Sequence, residues 1–206
     1  CARACVEGAL LDLVATRKQI PVAALLAGDG PVSETVGVNA ILSGNDEAEL
    51  AEAASRLVAG GWRCLKVKAG ADHLAAARTV TALREWVGDR VAVRVDANGA
   101  WTRDQAAAFL RATAACRLEF LEQPLPADDL DGLASLRRLG LAPIAADESV
   151  RDAAAVGRIV AKQAADLVII KPMALGGWRP TRQAVRLARD TGIDAVLTTF
   201  LDGSVG

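Results

Sequence analysis

A parallel (β/α) barrel is the fold this sequence predicts, and three observations predict it. Charged residues close short apolar runs at nearly even steps: Lys68, Asp96, Glu122, Asp147 and Lys171 follow one another at intervals of 28, 26, 25 and 24 residues. A period of that length holds one strand and one covering helix, the unit of a barrel whose chemistry gathers at the C-terminal ends of its strands. The runs themselves, such as Leu167-Val168-Ile169-Ile170, are continuously apolar and do not alternate, as in strands covered on both faces. A chain of 206 residues, 52% hydrophobic and 24% charged, is also long enough for one sizeable core.

The elements follow in order. Ala2, Cys5, Val6, Ala9, Leu10 and Leu13 share a stripe at helical spacing, so an opening helix is expected to pack that stripe on a core. Pro21 starts a short second turn ending at Gly28, and Gly28-Asp29-Gly30-Pro31 reads as a linker. Residues 1–30 therefore form a helix and linker leading into the barrel, which takes residues 31–206. Its first strand is expected over Val36–Leu42. Asp46 caps a helix running to Gly60-Gly61, and a second helix runs from Asp72 to Gly88. Thr102-Arg103-Asp104-Gln105 is a capping box. Later helices run up to Gly140, follow Asp152, and open at Pro180 to stop at Gly192, before a last strand at Asp194–Thr199. Seven strands result, where a closed barrel takes eight, so the eighth is expected outside this chain, which opens on Cys1 and reads as a piece of a longer protein. A doubly wound open sheet is the structural alternative, but no Gly-x-Gly-x-x-Gly follows the first strand to suggest a dinucleotide site.

Composition excludes several function classes. With 24 basic and 25 acidic residues the net charge is −1, and aromatics are 3% with no Tyr, so neither a field nor a stacking surface recruits nucleic acid. The sequence has neither a membrane-length apolar run nor a signal-peptide pattern, so a cytoplasmic protein without membrane partners is expected. Cys1, Cys5, Cys64 and Cys116 are too irregularly spaced for a zinc framework and read as reduced packing thiols. The single histidine, His73, argues against His-rich metal sites and a Ser-His-Asp triad. The pattern leaves oligomeric state open.

Asp96, Glu122 and Asp147 end three consecutive strands, so their carboxylates converge at a barrel mouth. An all-carboxylate set suits Mg²⁺, or Mn²⁺, completed by water and substrate oxygens. Singly, each would serve as a turn or cap residue, and only their common register points to a metal. Lys66 and Lys68 stand two apart on one strand, on one face and about 6 to 7 Å apart. Crowding by a like charge and a cation should ease proton loss from one of them, making it a base. Lys171 lies across the opening. A cation that chelates a substrate carboxylate stabilises the enediolate left when the alpha proton is removed, so enolisation with elimination or reprotonation is the expected chemistry.

Lys66-Val67-Lys68, Val95-Asp96-Ala97-Asn98-Gly99-Ala100-Trp101, Leu121-Glu122-Gln123-Pro124, Ala146-Asp147-Glu148-Ser149 and Ile170-Lys171-Pro172 before Gly176-Gly177 occur in this order. The ordered set resembles the enolase superfamily, specifically its muconate-lactonizing branch. That resemblance implies a barrel with Mg²⁺ on Asp96, Glu122 and Asp147, acid/base chemistry at Lys68, and Lys171 on the other face of the enediolate. It also implies an N-terminal capping domain, which this sequence does not show. The ending Thr198-Thr199-Phe200-Leu201-Asp202-Gly203-Ser204-Val205-Gly206 looks most like the o-succinylbenzoate synthases, dehydratases of menaquinone biosynthesis. Asn98, Thr198, Thr199, Gly203 and Ser204 are then the candidates to touch a small carboxylate substrate. N-acylamino acid racemases, dipeptide epimerases and muconate cycloisomerases share the residue set and are the enzymatic alternatives. A catalytically silent binding barrel is the non-enzymatic one.

Overall fold

The computed structural model describes residues 2–44 and 46–199. Seven strands, β1 (Ala40–Leu42), β2 (Cys64–Lys68), β3 (Ala92–Asp96), β4 (Phe120–Glu122), β5 (Ile144–Ala146), β6 (Leu167–Ile170) and β7 (Asp194–Leu197), pair in sequence order, all parallel. Helices α1 (Ala2–Lys18) and α2 (Val22–Ala27) precede the sheet. α3 (Glu47–Ala59), α4 (His73–Val87), α5 (Arg103–Ala112), α6 (Leu130–Arg137), α7 (Ala153–Lys162) and α9 (Trp178–Asp190) connect successive strands, with a short α8 (Pro172–Leu175) just after β6. This is the alternation expected of a barrel, drawn as an open arc of seven strands.

Local signals set the helix starts. Asp46 accepts the Glu49 N–H at 2.9 Å, Asp72 those of Leu74 and Ala75, and Asp152 that of Ala155, each satisfying a backbone donor that the first helical turn leaves free. The Thr102 box is complete: Thr102 Oγ1 accepts from Gln105 N–H while Gln105 Oε1 accepts from Thr102 N–H. α9 begins at Trp178, two residues before the Pro180 start expected from sequence, because the Glu7 carboxylate of α1 accepts the Trp178 N–H at 2.6 Å. Pro180 is tolerated in that first turn, where no N–H is required. Gly177, at φ 122°, precedes it, and a Cβ there would overlap the Glu7 carboxylate.

Side chains on the sheet divide into two layers. Leu65, Val67, Val93, Val95, Leu121, Ile144, Val168 and Ile170 point outward and pack with buried helix residues such as Val80, Leu83, Phe109, Leu133 and Ile159. Phe120, Ala145, Leu167 and Ile169 form a smaller cluster on the inner face. Strand register then puts Lys68 level with Asp96 and Asp96 level with Glu122. By the two-residue alternation of a strand, Asp147 and Lys171 continue the inner face of β5 and β6.

Three expectations need correction. The Ala2, Cys5, Val6, Ala9, Leu10, Leu13 stripe does not pack on a core: Val6 is 62% and Leu10 56% exposed. The side of α1 carrying Ala4, Glu7, Leu11 and Ala15 turns inward instead, drawn by the Glu7 bond to Trp178 and by Arg3 Nε donating to Gly176 O. The exposed side borders a groove of about 730 Å³ that includes Val14, Leu25, Arg179 and Arg182. The first strand starts at Ala40 and not Val36, since β2 begins at Cys64 and residues before Asn39 find no strand opposite them. At the other end, β7 closes at Leu197, although Thr198 N–H still donates to Ile170 O at 3.0 Å.

Candidate active site

Each acid sits at or just past a strand end because the apolar strand positions it there, and each is bound to a lysine. Asp96 is 1% exposed, and its Oδ2 accepts from both Lys66 Nζ (2.9 Å) and Lys68 Nζ (2.6 Å). Its Oδ1 accepts the Asn98 N–H at 3.0 Å. Lys66 reaches on to Glu122 Oε1 at 2.7 Å, and Lys171 Nζ donates to Asp147 Oδ2 at 2.6 Å. The inner face of β2 to β6 thus carries a nearly continuous line of alternating charges. Buried charges are tolerated only when paired in this way.

Charge balance differs along that line. Burial works to raise the Asp96 carboxyl's pKa, but Lys68 and Lys66 outweigh it and hold the group below the ordinary carboxylate range. Burial and the neighbouring Asp96 charge push Glu122 up to about 7, against the opposing pull of Lys66. Burial likewise works to lower the Lys66 ammonium, yet Glu122 and Asp96 prevail and raise it above an ordinary lysine. Between its two acids Lys66 is therefore held as an ammonium and is not the member of the lysine pair suited to act as a base.

Among the described residues no three His, Cys, Asp or Glu side chains stand close enough to hold a metal ion as they are oriented here. The acids face ammonium groups. Their chemistry fits a hard divalent cation all the same: the donors are all oxygens, and Glu122, raised first by burial and then by the charge of Asp96, is an acid whose ionised form a cation would favour.

Several supporting residues were not singled out from sequence. Gln123, fully buried in a left-handed backbone conformation (φ 35°), accepts from the N–H groups of Asp147 and Ser149 and donates to Leu125 O and Ser149 Oγ, binding the loops after β4 and β5 together. Arg94 lies on the inner face of β3 level with Lys66, donates to both Glu119 oxygens and to Asn39 Oδ1, and stacks 4.8 Å from the Phe120 ring centroid. It floors the site. The signal was available: a lone charge inside Val91–Asp96 two residues before the acid must share its face. Burial pushes the adjacent Cys64 thiol up to about 11. Glu148 borders a cavity of about 270 Å³ together with Asp147, Ile169 and Lys171.

Of the expected substrate contacts, Asn98 has both ends of its amide engaged by protein, Oδ1 by Lys68 and Nδ2 by Glu148. Thr198 is half-buried beside the end of β6, and Thr199 is exposed. Gly203 and Ser204 lie outside the described residues. Half-buried His73 starts α4 and meets the buried Trp101 edge-on at 6.5 Å, apart from the acids.

Residues 49–206 match the family described as enolase C-terminal domain-like. The chain is 39% identical over 188 residues to the o-succinylbenzoate synthase of Thermobifida fusca, covering 89% of this chain and 56% of that protein. It is 30% identical over 205 residues to the N-succinyl-L-Arg/Lys racemase of Bacillus cereus, covering 99% and 55%. The dipeptide epimerase of Enterococcus faecalis V583, solved with Mg and the dipeptide L-Leu-L-Tyr, superposes at a TM-score of 0.92 with 30% identity, covering 100% of this chain and 57% of that one. The chain spans about half the length of the curated relatives it matches. No helix among the described residues is long and apolar enough to cross a membrane.

Proposed function

The chain belongs to the enolase superfamily, and on that premise we propose that it supplies the catalytic barrel of an enzyme that removes the proton alpha to a carboxylate and then eliminates water, most specifically an o-succinylbenzoate synthase. The observation that carries this reading is the inner-face line Lys68–Asp96–Lys66–Glu122 with Lys171–Asp147 beyond it, in which two lysines four strands apart flank three acids. In this role Asp96, Glu122 and Asp147 hold Mg²⁺ or Mn²⁺, which supplies Lewis-acid stabilisation of the charge that develops on the substrate carboxylate. Lys68, at the strand end and half-exposed, takes the alpha proton and returns it to the departing hydroxyl on the same face. Lys171 remains an ammonium and stabilises charge from the opposite side. Lys66, held between Asp96 and Glu122, bridges those acids and favours their ionised forms.

The N-succinyl-L-Arg/Lys racemase and dipeptide epimerase relatives favour a second reading, in which Lys68 and Lys171 act as paired bases on opposite faces of a 1,1-proton transfer. One experiment separates the two. The full-length protein is assayed for kcat/KM on 2-succinyl-6-hydroxy-2,4-cyclohexadiene-1-carboxylate beside a panel of N-succinylamino acids and dipeptides, with solvent deuterium incorporation followed in parallel. Dehydration as the dominant activity supports the synthase; clear preference for an amino-acid substrate replaces it with the racemase or epimerase reading. Absence of alpha-proton exchange on every substrate would leave a silent binding barrel.

A further inference from the structure

Lys68 has a second partner besides its acid. Its Nζ donates to Asn98 Oδ1 at 2.9 Å, and the other end of that amide, Nδ2, donates to Glu148 Oε1 at 3.1 Å. The remaining Glu148 oxygen, Oε2, is buried with no hydrogen-bond partner among the described residues. Asn98 sits at φ 47°, in the left-handed region that Asn tolerates better than most side chains, and its own N–H is tied to Asp96 Oδ1.

An amide between an ammonium and a carboxylate can point only one way. A lysine ammonium only donates, and a carboxylate only accepts, so the amide must turn its oxygen to Lys68 and its NH₂ to Glu148. Removing Glu148 leaves the NH₂ end unheld, so the amide keeps one anchor in place of two and no longer holds its oxygen at a fixed position beside Lys68. Asp96, by contrast, is shared between two lysines and is itself a candidate cation ligand, which makes it a poor sole anchor for Lys68. Loss of a buried carboxylate oxygen's partner costs free energy and calls for an explanation; here the side chain is kept from turning to solvent by its hold on Asn98.

We propose that Glu148 is a positioning residue that acts through Asn98: by fixing the direction of the Asn98 amide it presents an acceptor to Lys68 and so places the Lys68 nitrogen against the substrate. The assignment rests on Lys68 being the base of the proposed reaction, but the relay itself does not require metal or substrate.

The test uses the full-length protein. In the metal-free state, ¹⁵N spectra of the side-chain amides should show the Asn98 NH₂ pair, assigned by its absence in Asn98→Ala, with slowed solvent exchange that is lost in Glu148→Ala. With Mg²⁺ and substrate, Glu148→Ala and Asn98→Ala should each lower kcat roughly ten- to hundredfold with KM and Mg²⁺ affinity within about twofold of the parent, the scale expected of a misplaced catalytic group. Their double variant should fall no further than either alone. Glu148→Gln, which keeps an acceptor toward Asn98, should recover most of the loss. Asn98→Asp should be poor alone, since two carboxylates would face each other, and should be rescued by adding Glu148→Gln, whose NH₂ can donate to the new carboxylate. Additive losses, no rescue, or an Asn98 amide unmoved by Glu148→Ala would overturn the relay. If the parent turns over none of the substrates, the proposed function fails, and the amide spectra alone decide the relay.

Discussion

The middle of the sheet and its flanks are built to different standards. In β4, β5 and β6 every residue is buried, from Phe120 to Glu122, Ile144 to Ala146 and Leu167 to Ile170. At the flanks, Ile41 of β1 is 60% exposed and Leu197 of β7 is 48% exposed, while the apolar stripe of α1 faces outward. The difference teaches where precision is needed. Charges can be buried at the ends of β3 to β5 only because strands and helices on both sides hold their counterions in place. The flanks carry apolar surface but no buried ion pair of that kind among the described residues.

The largest effect should come from the middle. Asp96→Asn leaves Lys66 and Lys68 without their shared carboxylate, and turnover in the full-length protein should fall by roughly 10²- to 10³-fold, on the scale of losing one electrostatic catalytic group. Weakened Mg²⁺ binding by calorimetry should accompany it; an active variant would dissociate the line of charges from catalysis. Next, Leu121→Ala, at a fully buried outward position, should cost about 2 to 5 kcal/mol in chemical denaturation. Leu10→Ala in the 206-residue chain should change stability by less than ~0.5 kcal/mol. Repeating Leu10→Ala in the full-length protein sharpens the comparison: a cost near that of Leu121→Ala would identify the flank as core supplied with its cover from elsewhere.

A smaller effect depends on pH. Because Glu122 is raised from 4.5 to about 7, its ionised form opposes folding, and the metal-free protein should lose stability as pH climbs through that window. Glu122→Gln removes this titration, so its Tm relative to the parent should increase from pH ~5 to ~7 and level off above. Saturating Mg²⁺ should shrink that advantage, since ligation favours the ionised acid. Asp96, held low, contributes the opposite slope: its stabilisation persists above the ordinary carboxylate range and is lost in acid. Of the substitutions at hydrogen-bonded positions the mildest is Thr102→Ala, which should cost about 1 kcal/mol through the lost cap and leave turnover alone.

The barrel was legible because its period and strand chemistry are local: the run from Cys64 to Lys68 and that from Ala92 to Asp96 are strands by composition, and register follows from repetition. The acids and lysines were legible for the same reason, since they close those runs. What sequence could not weigh was charge balance between strands. The raised ammonium of Lys66 depends on how near Glu122 and Asp96 fall, a distance between β2, β3 and β4 that no spacing encodes. The Asn98–Glu148 contact spans fifty residues and two loops. α1 misled because its apolar stripe is real but its partner is polar: Glu7 is claimed by the N-terminus of α9, and the helix rolls to meet it.

Gln123 carries one more consequence. Its single amide is wired to Asp147 and Ser149 on one side and to Leu125 on the other, beneath any surface that solvent or substrate can reach. Two of the three acids, Glu122 next to Gln123 in the chain and Asp147 bonded to it, are therefore coupled through one buried side chain. A change that displaces the Gln123 amide would shift both acids and both loops at once. The spacing of two acids from different strands thus hangs on a single side chain that lies on neither strand's apolar face.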